Sequence, residues 1–266
     1  GTSSDPYIFH KVADFMTSFS KNDMAKNDMI YGRGPVRELL RSDRQTEYLL
    51  LQKGLEGSIG QLIALAKQKG IPIKETDARK LDELCAGGNH QGVAAQVSAA
   101  RYYELEELLA LAGDEPPLLV IADEIEDPHN LGAIIRTAEA AGAHGLILPK
   151  RRSAGLSQTV AKTSAGAVEH LPVARVANLP TTIKVLKERA IWVYGAHMEG
   201  VPYTQANFSG PAALVLGAEG RGLGRLVRES CDMLISIPMY GKMNSLNVSV
   251  AGGILLYEIA RRRAVR

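Results

Sequence analysis

Three short stretches hold most of the side chains with chemistry to offer. In Asp123–Arg136 (DEIEDPHNLGAIIR) the carboxamide of Asn130 precedes the guanidinium of Arg136. In Ala218–Gly224 (AEGRGLG), just after Gly217, the carboxylate of Glu219 stands among glycines. In Pro238–Asn247 (PMYGKMNSLN), just after Ile237, the run ends on Ser245, Leu246 and Asn247. Glycine lets a main chain approach a ligand closely, and a guanidinium can neutralise charge that develops in a reaction. Each residue also has a plain structural use. Gly217 can end a strand, Ile237 and Leu246 can be core, Arg136 can form a surface ion pair, and Glu219 can be a solvated charge. Ser245 and Asn247 can cap a helix.

Other chemistries fit poorly. Gly220-Arg221-Gly222 begins a dinucleotide fingerprint, but Arg225 stands where its third glycine belongs, and the match does not follow the first strand. That disfavours a nucleotide-dependent oxidoreductase. No GxxxxGK[ST] phosphate loop occurs, and the six histidines never fall at metal-ligand spacing, so no metal is expected.

The elements that must position these residues are legible from pattern. Short apolar runs at 118–122, 145–148, 171–176, 191–196, 212–217 and 233–237 read as strands. Between them, 131–141, 157–168, 180–189 and 223–230 read as helices, with a last one from about 246 to 262. This alternation predicts an α/β fold with a mostly parallel sheet and helices on both faces. In such sheets ligands sit beyond the carboxyl ends of the strands, where the three stretches lie. Asn130 and Arg136 would not share one face of a helix, so Asn130 must fold back or lie on another surface.

Ahead of this half, residues 29–98 read as a small α/β unit. It has strands near 48–51, after Pro72 and at 92–97, and helices at 59–69 and 78–86 that Ser58 and Asp77 could cap. Residues 99–117 read as a linker, with Pro116-Pro117 marking the boundary to a second domain at 118–266. Residues 1–28 read as a tail outside the fold, added or disordered.

The chain of 266 residues carries 31 basic and 29 acidic side chains, a net charge of +2. No overall positive field therefore announces nucleic acid, although Lys150-Arg151-Arg152 and Arg261-Arg262-Arg263 make local basic clusters. Cys85 and Cys231 are far apart and match no redox or zinc spacing, which suits buried thiols in a reducing cytoplasm. No apolar run has membrane-spanning length.

The three stretches resemble the ordered motifs of the SpoU (TrmH-like) branch of the SPOUT methyltransferases. Asn130-Leu131-Gly132 with Arg136-Thr137-Ala138 is similar to the first motif, and Leu216-Gly217-Ala218-Glu219-Gly220-Arg221-Gly222-Leu223 to the second. Ile237-Pro238-Met239 through Ser245-Leu246-Asn247-Val248-Ser249-Val250-Ala251 is similar to the third. The first half, with Tyr31-Gly32-Arg33 near its start, resembles the small RNA-binding domain of the ribosomal-RNA guanosine subgroup.

The resemblance implies a deep trefoil knot, a homodimer, and S-adenosylmethionine as methyl donor, held by the main chain at Gly217, Ile237 and Leu246. It implies catalytic roles for Asn130, Arg136, Glu219, Ser245 and Asn247. Arg136 would act either as a base or, asking less of its chemistry, as a stabiliser of a developing alkoxide. The implied reaction is 2′-O-methylation of a guanosine ribose in large-subunit ribosomal RNA, with no part for DNA or a membrane. Transfer RNA methylation and a non-catalytic RNA-binding assembly factor of the same fold are the alternatives. Arg33, Arg37, Arg41, Arg44, Arg151 and Arg152 would lie along the RNA path. Ala251-Gly252-Gly253 weakens the last helix, which close packing against donor or partner subunit would justify. Leu246, Val250, Ile254 and Tyr257 would supply apolar positions for that interface.

Overall fold

The computed structural model describes residues 29–55 and 59–264. The expected tail and the expected cap at Ser58 lie outside the described residues. The chain forms two compact units that divide between Val97 and Ser98.

The first unit has four strands: β1 (Met29–Tyr31), β2 (Thr46–Gln52), β3 (Ile73–Thr76) and β4 (Val93–Val97). Their order is β1-β4-β2-β3. Pairs β1/β4 and β2/β4 are antiparallel and β2/β3 is parallel, so the helix Gly60–Gln68 supplies the crossover that a parallel pair needs. Alternation sends Leu49 and Leu51 to one face, packed with Val36, Leu40 and Leu62. It sends Leu50 to the other, against Leu81 and Cys85. Asp77 caps the helix Ala78–Leu84 as expected, its carboxylate accepting from Lys80 N–H at 2.8 Å. Strand β1 was not anticipated; three residues are too few to show a period.

The second unit carries β5 (Tyr102–Tyr103), β6 (Leu118–Asp123), β7 (Gly145–Pro149), β8 (Val173–Val176), β9 (Trp192–Pro202), β10 (Ala212–Gly217) and β11 (Met233–Ser236). They form one sheet in the order β11-β9-β10-β6-β7-β8-β5, with every pairing parallel. On one face Val120, Leu146, Leu214 and Leu216 pack with Leu131, Ile135, Val160 and Leu256 from three helices. On the other, Leu119, Ile121, Ala213 and Val215 pack with Ile183, Leu186 and Val227. Strands buried on both faces explain why these runs read as continuously apolar rather than alternating.

The segment 99–117, expected as a linker, is built into this unit. Tyr102–Tyr103 pairs with β8 at the sheet edge, and the helix Leu105–Ala110 buries Leu108 completely. Pro116-Pro117 therefore leads into β6 and does not separate the units. The helix expected over 157–168 is also shorter. It ends at Thr163, and Ala165 and Gly166 take positive φ (51° and 84°) before a 3-10 turn at Ala167–Glu169.

Strand order fixes where a ligand can sit. From β6 the chain steps outward through β7 and β8, crosses to β9, and returns through β10 to lie against β6. The β6/β10 pair is thus the switch point of the sheet, the place where loops leaving adjacent strands diverge and open a crevice. Register runs from Ala212 opposite Leu118 to Gly217 opposite Asp123, so both strands end together.

Candidate functional site

The helix Pro128–Ala140 starts on an Asp127 cap that accepts from His129 N–H at 2.9 Å, with Pro128 in its first turn. Asn130 and Arg136 share this helix but not a face. Asn130 is 8% exposed, whereas Arg136 points outward and has no hydrogen bond or ion pair among the described residues. Of the two placements open to Asn130, the structure takes the second. Gly132 lets the helix approach its neighbour: a Cβ there would stand 2.6 Å from Thr163 Cβ.

After β10 the glycine loop folds back on itself. Ala218 bridges Gly222, and Gly222 N–H donates to Ala218 O at 2.8 Å. Gly220 and Gly222 sit at φ +77° and +67°, where an L side chain is strained. A Cβ on Gly217 would lie 2.3–2.5 Å from backbone atoms of Gly222 and Leu223. Glycine at 217 is therefore demanded by the loop itself.

A residue the sequence reading missed anchors this loop. Asp123 ends β6, is 3% exposed, and accepts from Gly224 N–H at 2.7 Å. Burial pushes its carboxyl above the ordinary range, and the Gly224 bond opposes that rise. A lone carboxylate closing an apolar strand was the available signal. Farther out, Arg221 pairs with Glu124 (3.6 Å) and Glu126 (3.2 Å), and Arg152 pairs with Glu124 (3.1 Å). Charge therefore ties the first stretch to the second.

The third stretch completes the site. Asn247 Nδ2 donates to Asn130 Oδ1 at 3.0 Å and also to Glu219 Oε1. Its Oδ1 accepts from Ser249 N–H (2.9 Å) and Val250 N–H (3.4 Å), so the same side chain caps the last helix, Val248–Ala264. Three of the five expected catalytic residues, Asn130, Glu219 and Asn247, thus meet, one from each stretch. Arg136 and Ser245 make no bond to that cluster; Ser245 is exposed and is not the cap.

Of the expected donor-holding residues, Gly217 ends β10, Ile237 is half-buried against the core, and Leu246 is 39% exposed. Residues 238–246 belong to no helix or strand, and none of their backbone groups has a hydrogen-bond partner among the described residues. A stretch of free main-chain donors and acceptors beside exposed Met239 and Leu246 suits a ligand with a heterocyclic edge and an apolar body. The adenine ring of S-adenosylmethionine offers such an edge together with apolar faces.

The glycines of the last helix have a reason within the chain. A Cβ on Gly252 would meet Leu216 Cδ1 at 2.8 Å, and one on Gly253 would touch Thr137 at 3.7 Å. They admit the helix to β10 and to the helix Pro128–Ala140. Justification by donor or partner subunit is not needed.

Residues 117–257 match the model of the SpoU rRNA Methylase family, and residues 29–103 match RNA 2′-O ribose methyltransferase substrate binding. The chain is 49% identical over 242 residues to YacO of Bacillus subtilis, covering 90% of this chain and 97% of that one; YacO is assigned only as a TrmH family tRNA/rRNA methyltransferase. It is 44% identical over 246 residues to the 23S rRNA (guanosine-2′-O-)-methyltransferase RlmB of Shewanella oneidensis, covering 90% and 99%. Among solved structures it resembles the SpoU methyltransferase AviRb of Streptomyces viridochromogenes in complex with AdoMet. There the TM-score is 0.58 and the identity 25%, with 97% and 99% of the two chains covered.

Proposed function

Because the chain belongs to the SpoU rRNA methylase family and is an S-adenosylmethionine-dependent RNA methyltransferase, we propose that it methylates the ribose 2′-hydroxyl of a guanosine in 23S ribosomal RNA. The observation that carries this reading is the meeting of Asn130, Glu219 and Asn247 at the sheet's switch point, beside a main chain free to bind the donor. The guanosine and the ribosomal target come from relatives such as RlmB of Shewanella oneidensis, matched over nearly their whole length.

Bound S-adenosylmethionine supplies an electrophilic methyl group. Main-chain groups at Gly217, Ile237 and Leu246 hold the donor. The ribose oxygen would form its bond to the methyl carbon as the carbon–sulfur bond breaks, leaving S-adenosylhomocysteine, and the hydroxyl proton would pass to solvent water. Arg136, exposed and without a hydrogen bond or ion pair among the described residues, is free to pair with charge as it develops on that oxygen, and a guanidinium there stabilises it electrostatically. Asn130, Glu219 and Asn247 keep the three loops in register, which sets the alignment of oxygen and methyl. Such alignment is worth roughly 7–11 kcal/mol in the best intramolecular cases. Ser245, exposed beside Asn247, is left to contact substrate.

We read residues 98–266 as the catalytic domain and residues 29–97 as the RNA-recognition domain. We also read the working enzyme as a homodimer in the cytoplasm. Val250, Ile254 and Tyr257 form an apolar stripe at helical spacing on the last helix, 51%, 36% and 55% exposed. The two cysteines are unpaired, as a reducing compartment requires. The chain runs from β11 at one sheet edge back to a helix packed on Pro128–Ala140, a path that a threaded C-terminus would need.

The test is methyl transfer from labelled S-adenosylmethionine to transcribed 23S ribosomal RNA, with the modified nucleotide mapped. One guanosine should be labelled, and RNA carrying 2′-deoxyguanosine at that position should accept nothing. Labelling of transfer RNA alone, or of a base, would overturn the assignment.

A further inference from the structure

The first unit contains a cleft of about 780 Å³ that the reaction does not account for. It is lined by the loop 87–92, which lies beside the start of the helix Arg33–Arg41, together with Arg33, Gln52, Leu55 and Asp82. We propose that this cleft receives an unpaired RNA base, and so is a specificity site of the RNA-recognition domain. The inference rests on the ribosomal-RNA reading above.

The loop is held in a shape that costs energy. Ala86 and Gln91, neither of them glycine, sit at φ 50° and 52°, with Gly87 and Gly92 also positive. Backbone strain at non-glycine residues persists where surrounding contacts enforce it, and it gathers at binding sites. Here the contacts are explicit. Gln91 Oε1 accepts from Arg33 N–H at 3.0 Å, and Gln91 O accepts from Arg33 Nε at 3.4 Å. Gly92 N–H donates to His90 Nδ1 at 3.0 Å, which leaves Nε2 to carry the ring proton toward Asp82 Oδ1, also 3.0 Å away. His90 and Asp82 are thereby spent on shaping the loop.

What remains uncommitted matches a base. Gln52 and Asn89 line the cleft, and neither carboxamide has a hydrogen-bond partner among the described residues. Each offers a donor and an acceptor, the pairing a base edge presents. At the rim, Tyr31 lies against Gly88, where a Cβ would fall 2.4 Å from its hydroxyl oxygen and 2.5 Å from two ring atoms, yet Tyr31 keeps 37% of its surface open. An aromatic ring backed by glycine and open to solvent is a stacking platform. The Arg33 guanidinium adds positive charge for a phosphate. Sequence-specific RNA recognition uses this combination on bases splayed from loops, which a duplex cannot offer.

The test uses the full chain and transcribed 23S ribosomal RNA. Gln52→Ala with Asn89→Ala, and separately Tyr31→Leu, should raise the KM for RNA roughly tenfold or more. The value of kcat at saturating RNA and the affinity for S-adenosylmethionine should not change. Photo-crosslinking of 4-thiouridine-substituted transcript to the wild-type protein should label Tyr31 or residues 87–92. An unchanged KM in both variants, or crosslinks confined to other segments, would overturn the proposal. If crosslinks fall in the cleft but the transcript accepts no methyl group, the cleft stands and the assignment of the reaction fails.

Discussion

Arg136 and Asn247 invite opposite expectations, because one is free and the other fully engaged. Arg136→Ala removes no hydrogen bond or ion pair among the described residues, so folding and donor affinity should hold while methyl transfer falls by two or more orders of magnitude. Single-turnover rates with RNA decide this; a near-normal rate would move the catalytic role elsewhere. Asn247→Ala loses a helix cap and leaves Asn130 and Glu219 without their donor. It should lower stability by about 1–2 kcal/mol in urea titration and also weaken donor binding. Asn247→Asp keeps the cap but brings a second carboxylate to Glu219. It should recover the cap's share of the stability but not the rest, and no activity. Cys231 is a third case. Its thiol donates to Val227 O at 3.3 Å, and burial, with Asp232 adding, pushes it up to about 12. The folded value lies above the ordinary one, so the thiol resists ionisation. Alkylation of native protein at pH 8 should be slow and should become fast in urea.

The last helix is the element with the most to lose. Gly252→Ala places a methyl group against Leu216, a neighbour that can move only partly within the core, and should cost about 1–3 kcal/mol. Thermal unfolding of that variant beside Ile254→Ala, on the exposed side, separates packing from helix propensity. Near its end the helix is pinned by Arg263, which donates to the carbonyls of Pro116, Pro117 and Gly210 at 2.6, 3.0 and 3.1 Å. Just before it, Arg261 and Arg262 bond back to Glu258 and hold its carboxyl down to about 2. The folded value is depressed, so the stabilisation is full above the ordinary carboxylate range and is lost as pH falls through about 2. These arginines are largely exposed, so the effect is modest. Melting temperatures of wild type and Glu258→Gln should differ at pH 6 and converge near pH 2.

For the molecule as a whole, the proposed dimer would bury the open stripe Val250, Ile254 and Tyr257. Val250→Asp with Ile254→Asp should convert a sedimenting dimer to a monomer without loss of helical signal. A wild-type chain that sediments as an active monomer would refute the dimer.

Much of this architecture could be read from the residues. Strands of the second unit are buried on both faces and therefore apolar throughout, and the helices between them begin at side-chain caps such as Asp127 and Asn178. The three ordered stretches marked the candidate site, because ligand loops follow strand ends and need residues that a core would reject. Helix spacing already set Asn130 and Arg136 on different faces, but sequence could not show that Asn130 meets Glu219 and Asn247, since that depends on β10 lying against β6. Nor could it assign residues 99–110 to the second unit: a two-residue strand has no period, and only the open edge of β8 gives it a partner. Asp123 stood out only as a lone carboxylate closing an apolar strand, and what it anchors was hidden. Its partner, Gly224, is distant in sequence, and only a parallel pairing in register places the end of β6 beside the loop that leaves β10.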